Sequence, residues 1–309
     1  MTFKIEKIDF SAEDIEQLGT KEKFWFYFQG NEETKWLFKY SRENTGEHWS
    51  EKIAEVFCEE LNIPHVTYEL AICGGRYGVV TKNVIPKSSR MVMGNEVLNK
   101  KFPKNYPKPE NDSKHFVHVK EHTVDRVLEC LDSKILPPNI NSYDTSDLSA
   151  SDVFCGYLLL DALISNQDRH HQNWAVIVDQ DTGKQYLCPT YDHAASLGRE
   201  LLDAERHERL TTKDVNRKIP TFVAKARSEL FRLKTDKKPL LTCDAFYIAV
   251  ENRSTAKSHW LDKLKGFTED KIVEIFSRIP REMITETAKK FAIEMVLENR
   301  KRLLEDERA

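Results

Sequence analysis

The sequence lacks most of the features that mark membrane, secreted and metal-knuckle proteins. Its longest apolar runs are short, such as Tyr157 to Leu160 followed by Ala162-Leu163-Ile164, far below the roughly 18 residues a membrane span needs. No membrane is therefore expected among its partners. The opening Met1-Thr2-Phe3-Lys4-Ile5-Glu6 has no apolar h-region, so no signal peptide is expected. The six cysteines (Cys58, Cys73, Cys130, Cys155, Cys188, Cys243) contain no C-x-x-C pair. That argues against a disulfide framework or zinc knuckle and makes a reducing cytoplasm the expected location. Excess charge of one sign is also missing: 47 Lys and Arg stand against 50 Asp and Glu, a net charge of −3. Wrapping of nucleic acid needs a basic surplus, so direct nucleic-acid binding is not expected. The chain has no internal repeat, no H-E-x-x-H and no G-x-S-x-G nucleophile elbow.

What is present is a globular composition. With 309 residues, 40% hydrophobic and 31% charged, the chain can bury a real core as one large domain or two coupled lobes. Residues 1–85 read as a small β-rich lobe. The aromatic runs Phe24–Gln29 and Lys35–Tyr40 form a hairpin across Gly30-Asn31-Glu32-Glu33, and Ser50–Leu61 carries Ile53, Phe57 and Leu61 at helical spacing. Asn62-Ile63-Pro64 ends that helix. Val66–Cys73 and Tyr77–Lys82 form a second hairpin across Gly74-Gly75. Residues 86–309 read as a mainly helical lobe that begins with a mobile, proline- and lysine-rich loop over 86–114. That loop is either a basic partner surface or, more simply, a solvated insertion. Helices are expected over Val119–Leu131, from a Ser149 or Ser151 cap through Ile164, from Thr268 through Phe276, and from Pro280 through Leu303. Two short strands, Trp174–Val178 and Lys184–Cys188, interrupt them. The closing stretch Glu298 to Asp306 mixes both signs of charge and reads as a solvated helix end.

The chemistry concentrates in Ser165-Asn166-Gln167-Asp168-Arg169-His170-His171-Gln172-Asn173 and Tyr191-Asp192-His193-Ala194-Ala195-Ser196-Leu197-Gly198. Asp168 and Asn173 have the aspartate-to-asparagine spacing of the kinase catalytic loop H-R-D-x-x-x-x-N. Phosphoryl transfer needs a carboxylate to orient and deprotonate the acceptor hydroxyl, and an amide oxygen with a second carboxylate to hold magnesium. Asp168 suits the first role; Asn173 and Asp192 suit the others. Lys39 is the candidate phosphate-gripping lysine, since Phe38 and Tyr40 beside it should face the other side of the strand. Glu51 is preferred over Glu55 as its acidic partner. Gly19-Thr20-Lys21-Glu22-Lys23 lies where a phosphate-covering turn belongs, although it matches neither glycine-rich phosphate motif. Two rival arrangements remain. Asp168 could pair with Arg169 at a helix end while Asp192 caps a turn; or His170, His171 and His193 could join Asp168 and Asp192 in a metal-dependent hydrolase. His115, His118 and His122 would share a helix face if a helix formed there. A third possibility is a non-catalytic scaffold binding a partner through the basic 88–108 loop.

Asn166-x-Asp168-Arg169-His170-x-x-Asn173, followed by Tyr191-Asp192-x-Ala194-x-Ser196-Leu197-Gly198, resembles the signature of the HipA-like serine/threonine kinases, the bacterial toxin kinases of HipA/HipB-type toxin–antitoxin systems. Gly46 to Ala54, ending at Asn62-Ile63-Pro64, looks like that family's helix bearing the lysine's acidic partner. The resemblance implies an α+β, two-lobed protein-kinase-like fold and use of ATP and Mg2+. It further implies transfer to a protein hydroxyl, translation components being a target class of the family, and an antitoxin partner. Asp168 would be the catalytic base, Asn173 and Asp192 the magnesium ligands, Lys39 the phosphate binder, and Gly19, Thr20, Lys21 and Lys23 part of the phosphate loop. The adenine-contacting hinge should fall near Val80 to Asn83, which includes Lys82. The larger members carry an extra N-terminal subdomain for which no room is expected before Gly19, so the chain resembles the short HipT- and CtkA-like form. Thr20 is the hydroxyl of the phosphate-loop region, with no serine nearer than Ser11, which puts regulation by a loop phosphoserine in doubt.

Overall fold

Alternating apolar residues build the first layer of the computed structural model, which describes residues 1–9, 22–108, 118–140, 143 and 147–309. Strands β1 (Ile5–Ile8), β2 (Lys23–Phe28) and β3 (Asn31–Tyr40) precede helix α1 (Glu47–Leu61), which is followed by β4 (Tyr68–Cys73) and β5 (Arg76–Lys82). They form one five-stranded sheet in the order β1-β4-β5-β3-β2. Both expected hairpins are found. The first turns at Gly30 (φ 79°), so β3 begins four residues before the expected Lys35; the second turns at Gly74 and Gly75, both at positive φ. Helix α1 starts at Glu47 and ends with Asn62 in the left-handed region at φ 57°. Strand β1, which the sequence reading missed, pairs parallel to β4. One face of this sheet is an aromatic layer of Phe24, Phe26 and Phe38 with Val80.

The reading of 86–114 as a mobile loop is corrected over most of its described part. Strand β6 (Ser89–Met93) and helix α2 (Gly94–Lys101) occupy it. Its lysines suggested solvent, but the order comes from pairing. β6 forms an antiparallel ladder with β8 (Ala175–Asp179), and Gly94 donates its backbone N–H to Trp174 O at 2.9 Å. A Cβ on Gly94 would strike the Trp174 indole, so only glycine allows that approach.

The remaining elements are helix α3 (Val124–Leu131), strand β7 (Ile135–Leu136), helix α4 (Ala150–Ile164), strands β8 and β9 (Gln185–Leu187), and helices α5 (Asp203–Thr211), α6 (Ile219–Val223), α7 (Thr242–Ala249), α8 (Ser254–Gly266), α9 (Glu269–Ser277) and α10 (Glu286–Leu304). Helix α3 starts at Val124 under a Thr123 cap, so His118 and His122 share no helix; His115 lies outside the described residues. Helix α4 carries the expected Ser149 cap, completed by Asp152 as a capping box, and is buried along almost its whole length. It packs against α3, α7, α8 and α10, forming the axis of the main core. Pro280 does not open α10: a turn precedes it, and the helix starts at Glu286 where the Thr285 hydroxyl accepts from Ala288 N. The architecture is α+β in two lobes, a sheet with one helix and a mainly helical body.

Candidate active site

The loop after α4 is built around one buried carboxylate. Asp161 is 2% exposed, and it accepts hydrogen bonds from Arg169 Nε at 2.7 Å, Arg169 Nη2 at 2.8 Å and Asn166 Nδ2 at 2.8 Å. Arg169 Nη1 donates to the Asn173 carbonyl at 2.7 Å, and Asn173 Nδ2 donates to the Asp168 carbonyl at 2.7 Å. Burial opposes the Arg169 charge, but the Asp161 carboxylate more than restores it. Residues 166 to 173 are thus tied to one fixed ion pair. The side chain of Asp168 remains 38% exposed, with His170 Nε2 at 3.7 Å. Arg169 therefore pairs with Asp161, and the rival arrangement with an Asp168–Arg169 pair is not the one found. Sequence reasoning missed Asp161; the available signal was a lone carboxylate inside the apolar run Leu158–Ile164.

Opposite this loop stands Lys39. Phe38 and Tyr40 turn to the aromatic face, and Lys39 points the other way. Its Nζ lies 2.8 Å from Asp192 Oδ1 and 3.7 Å from Glu51 Oε2, and 5.5 Å from the centre of the Tyr68 ring. Burial alone would lower the Lys39 pKa, but the Asp192 and Glu51 carboxylates carry it well above its ordinary value. Lys39 is consequently a fixed ammonium. Glu51 uses its other oxygen to accept from His193 N at 3.0 Å, and Asp192 N donates to the Tyr68 hydroxyl at 3.3 Å. Asp192 (φ 61°), Leu197 (φ 56°) and Gly198 (φ 64°) all adopt the left-handed region. Such strain is held here because Leu197 N donates to Ile164 O at 2.9 Å, locking the segment onto the end of α4.

These groups line one cleft of about 1100 Å³. Of the expected residues, Lys23, Lys39, Lys82, Asp168, Asn173 and Asp192 line it, and Glu51 is buried behind Lys39. Val80 does not: its side chain joins the aromatic layer on the other sheet face, and Thr81 to Ile85 line the cleft instead. Gly19, Thr20 and Lys21 lie outside the described residues. The cleft lining includes apolar Val66, Val84, Ile85 and Met91 and cationic Lys23, Lys35, Arg42 and Arg199. Arg42 and Arg199 also escaped the sequence reading, because nothing in their spacing links them. Glu47 joins them, accepting from Arg42 N at 3.0 Å, from Arg42 Nη1 at 3.1 Å and from Arg199 Nη1.

The histidine-based metal site does not assemble. His171 turns to the Tyr106 hydroxyl at 2.6 Å, and His193 Nε2 lies 2.8 Å from Thr190 Oγ1. Burial pushes the His193 pKa well below its ordinary value. The donors facing the cleft, the carboxylates of Asp168 and Asp192 and the amide oxygen of Asn173, are hard oxygen ligands of the kind magnesium takes.

The two lobes and the cleft between them define a protein-kinase-like fold. No protein-family model matches the sequence, and neither does any curated protein. Among solved structures, the chain is similar to CtkA, a proinflammatory kinase of Helicobacter pylori, at 18% identity and a TM-score of 0.66, covering 96% of this chain and 95% of that one. It is also similar to HipA of Shewanella oneidensis MR-1, solved with HipB and operator DNA, at 13% identity and a TM-score of 0.58. That match covers 96% of this chain but spans only 66% of the HipA chain. The resemblance first read from the two loop motifs is thus met at the level of fold. Among the described residues no helix is long and apolar enough to cross a membrane.

Proposed function

We propose that the chain is an ATP-dependent, HipA-like serine/threonine protein kinase, with residues 1–85 as its nucleotide-binding lobe and 86–309 as its catalytic lobe. The observation that carries this reading is the 2.8 Å contact between Lys39 and Asp192, residues 153 apart in sequence, on the cleft that Asp168 and Asn173 also line. When bound, ATP with Mg2+ supplies the transferable phosphoryl group and the charge neutralisation that its transfer requires. Lys39, oriented by Glu51, grips the phosphates; Asn173 and Asp192 are the residues that would hold Mg2+. Asp168 orients the acceptor hydroxyl and takes its proton. Lys23, at the start of β2, would reach the phosphates, with Gly19, Thr20 and Lys21 as the proposed phosphate-covering segment before it, and Lys82 opens the adenine side. The acceptor is a protein in the cytoplasm, with a translation component as the first class to test. HipA was solved with HipB, which supports an antitoxin as partner.

The test is incubation of the purified protein with γ-labelled ATP and Mg2+, alone and with bacterial lysate. Label should enter protein serine or threonine, and Asp168→Asn should lower its rate by about 10²–10⁴-fold. Labelling that survives both Asp168→Asn and Asp192→Asn would overturn the reading.

A further inference from the structure

Helix α1 carries Glu51, Glu55 and Glu59 on one stripe, four residues apart. Of the three, Glu51 is the one that meets Lys39 at the cleft. A carboxylate oxygen of Glu55, one of Glu59 and a ring nitrogen of His65 all lie within 4.8 Å of one another. We propose that Glu55, Glu59 and His65 form a binding site for a first-row divalent cation such as Zn2+, behind the phosphate cleft and independent of it.

Three observations carry this. His65 is 4% exposed, and its Nδ1 lies 2.9 Å from the Ile63 carbonyl oxygen. A carbonyl can only accept, so the proton sits on Nδ1 and the lone pair on Nε2. That backbone-fixed tautomer is how metal-ligating histidines are commonly oriented. Next, Glu55 is 3% exposed, and the ammonium that its Oε2 meets is shared with other acceptors. The Lys52 ammonium stands 2.7 Å away, but it also lies 3.2 Å from Glu69 and donates to the Tyr68 carbonyl at 2.7 Å. Finally, Lys52 is a single ammonium shared by Glu55 and Glu69, with Glu59 beside them, and a divalent ion would supply further positive charge to this group. A water can complete four-coordination. Exposed Glu59 provides the entry path and the side chain able to close the ligand spacing. The imidazole favours Zn2+ and its transition-metal neighbours over Mg2+ or Ca2+. A bound cation would fasten α1 to His65, whose backbone bridges Thr190, two residues before Asp192.

The experiment uses the full chain without nucleotide, dialysed against chelator and then titrated with Zn2+ by calorimetry, with metal content measured after gel filtration. About one Zn2+ per chain and a raised melting temperature are expected. Glu59→Gln and His65→Asn should each weaken binding at least tenfold, while Asp192→Asn leaves it intact. Glu59 is exposed, so Glu59→Gln decides the matter even where His65→Asn fails to fold. Absence of stoichiometric Zn2+, unchanged binding in Glu59→Gln, or loss in Asp192→Asn would overturn the proposal. None of these readouts depends on phosphoryl transfer.

Discussion

The loop bearing Asp168 and the strand bearing Lys39 face each other across one cleft, and opposite kinds of interaction hold them. The loop hangs on a buried ion pair, Asp161 with Arg169, whose hydrogen bonds reach Asn166 and Asn173. The strand rests on an aromatic layer, where Phe24 and Phe38 stack at 5.2 Å with their planes 9° apart. A buried ion pair is directional and fails when either partner goes, whereas apolar packing tolerates exchange at similar volume. The most damaging single change should therefore be Asp161→Asn, which strands the fully buried Arg169 guanidinium. It is expected to cost about 3–5 kcal/mol in chemical denaturation and to abolish phosphoryl transfer. A cost under about 1 kcal/mol would show that Arg169 finds other partners and that the two walls are less different than they look.

How far each wall could be read from sequence follows the same division. The orientation of Lys39 came from two-residue alternation, because Phe38 and Tyr40 mark the other face unambiguously. At Val80, which the resemblance alone put near the hinge, that rule gives no help: Val79, Val80 and Thr81 are all buried, so alternation cannot say which one faces the cleft. Strand β1 was not legible because its partner β4 lies more than sixty residues away and its four residues carry no turn signal. The spacing from Asp168 to Asn173 was visible, but the frame beneath it was not. Asp161 and Glu47 are held by arginines that folding brings to them. Likewise β6 and α2 were hidden by their lysines, since their order depends on β8 and Trp174 rather than on local pattern.

His48, on α1, joins Ser41 beyond β3 to Met283 before α10 and should make that joint sensitive to acid. Its Nε2 donates to the Met283 carbonyl at 2.9 Å, so its Nδ1 accepts from the Ser41 hydroxyl at 3.2 Å, and the neutral ring satisfies both. Burial pushes its pKa down to about 4, outweighing the Met283 carbonyl that acts the other way. The unfolded chain takes up this proton near the ordinary value of about 6.5. Its contribution is therefore complete above that pH and is lost as pH falls toward 4. Denaturation at pH 7 and pH 5 should differ by about 2 kcal/mol from this residue alone. His48→Gln should remove that part of the difference, leaving a smaller slope from the other buried histidines, His65, His122 and His193, which burial also lowers. An unchanged slope in His48→Gln would mean that acid loosens the molecule elsewhere.

The aromatic wall should yield the smallest effect. Phe24→Leu removes the stacked pair with Phe38 but keeps a buried apolar side chain of lesser volume at a fully buried position. The expected cost is about 1 kcal/mol, the worth of an aromatic pair. Lys39 projects from the opposite face of the neighbouring strand and keeps its contact with Asp192, so phosphoryl transfer should stay within about twofold. Measured beside Asp161→Asn, this variant is the control for the whole comparison. If it too abolished transfer while the protein remained folded, Lys39 would depend on the shape of the aromatic layer as strictly as Asp168 depends on its ion pair. The two walls would then be equally rigid, and tolerance could not be inferred from apolar packing alone.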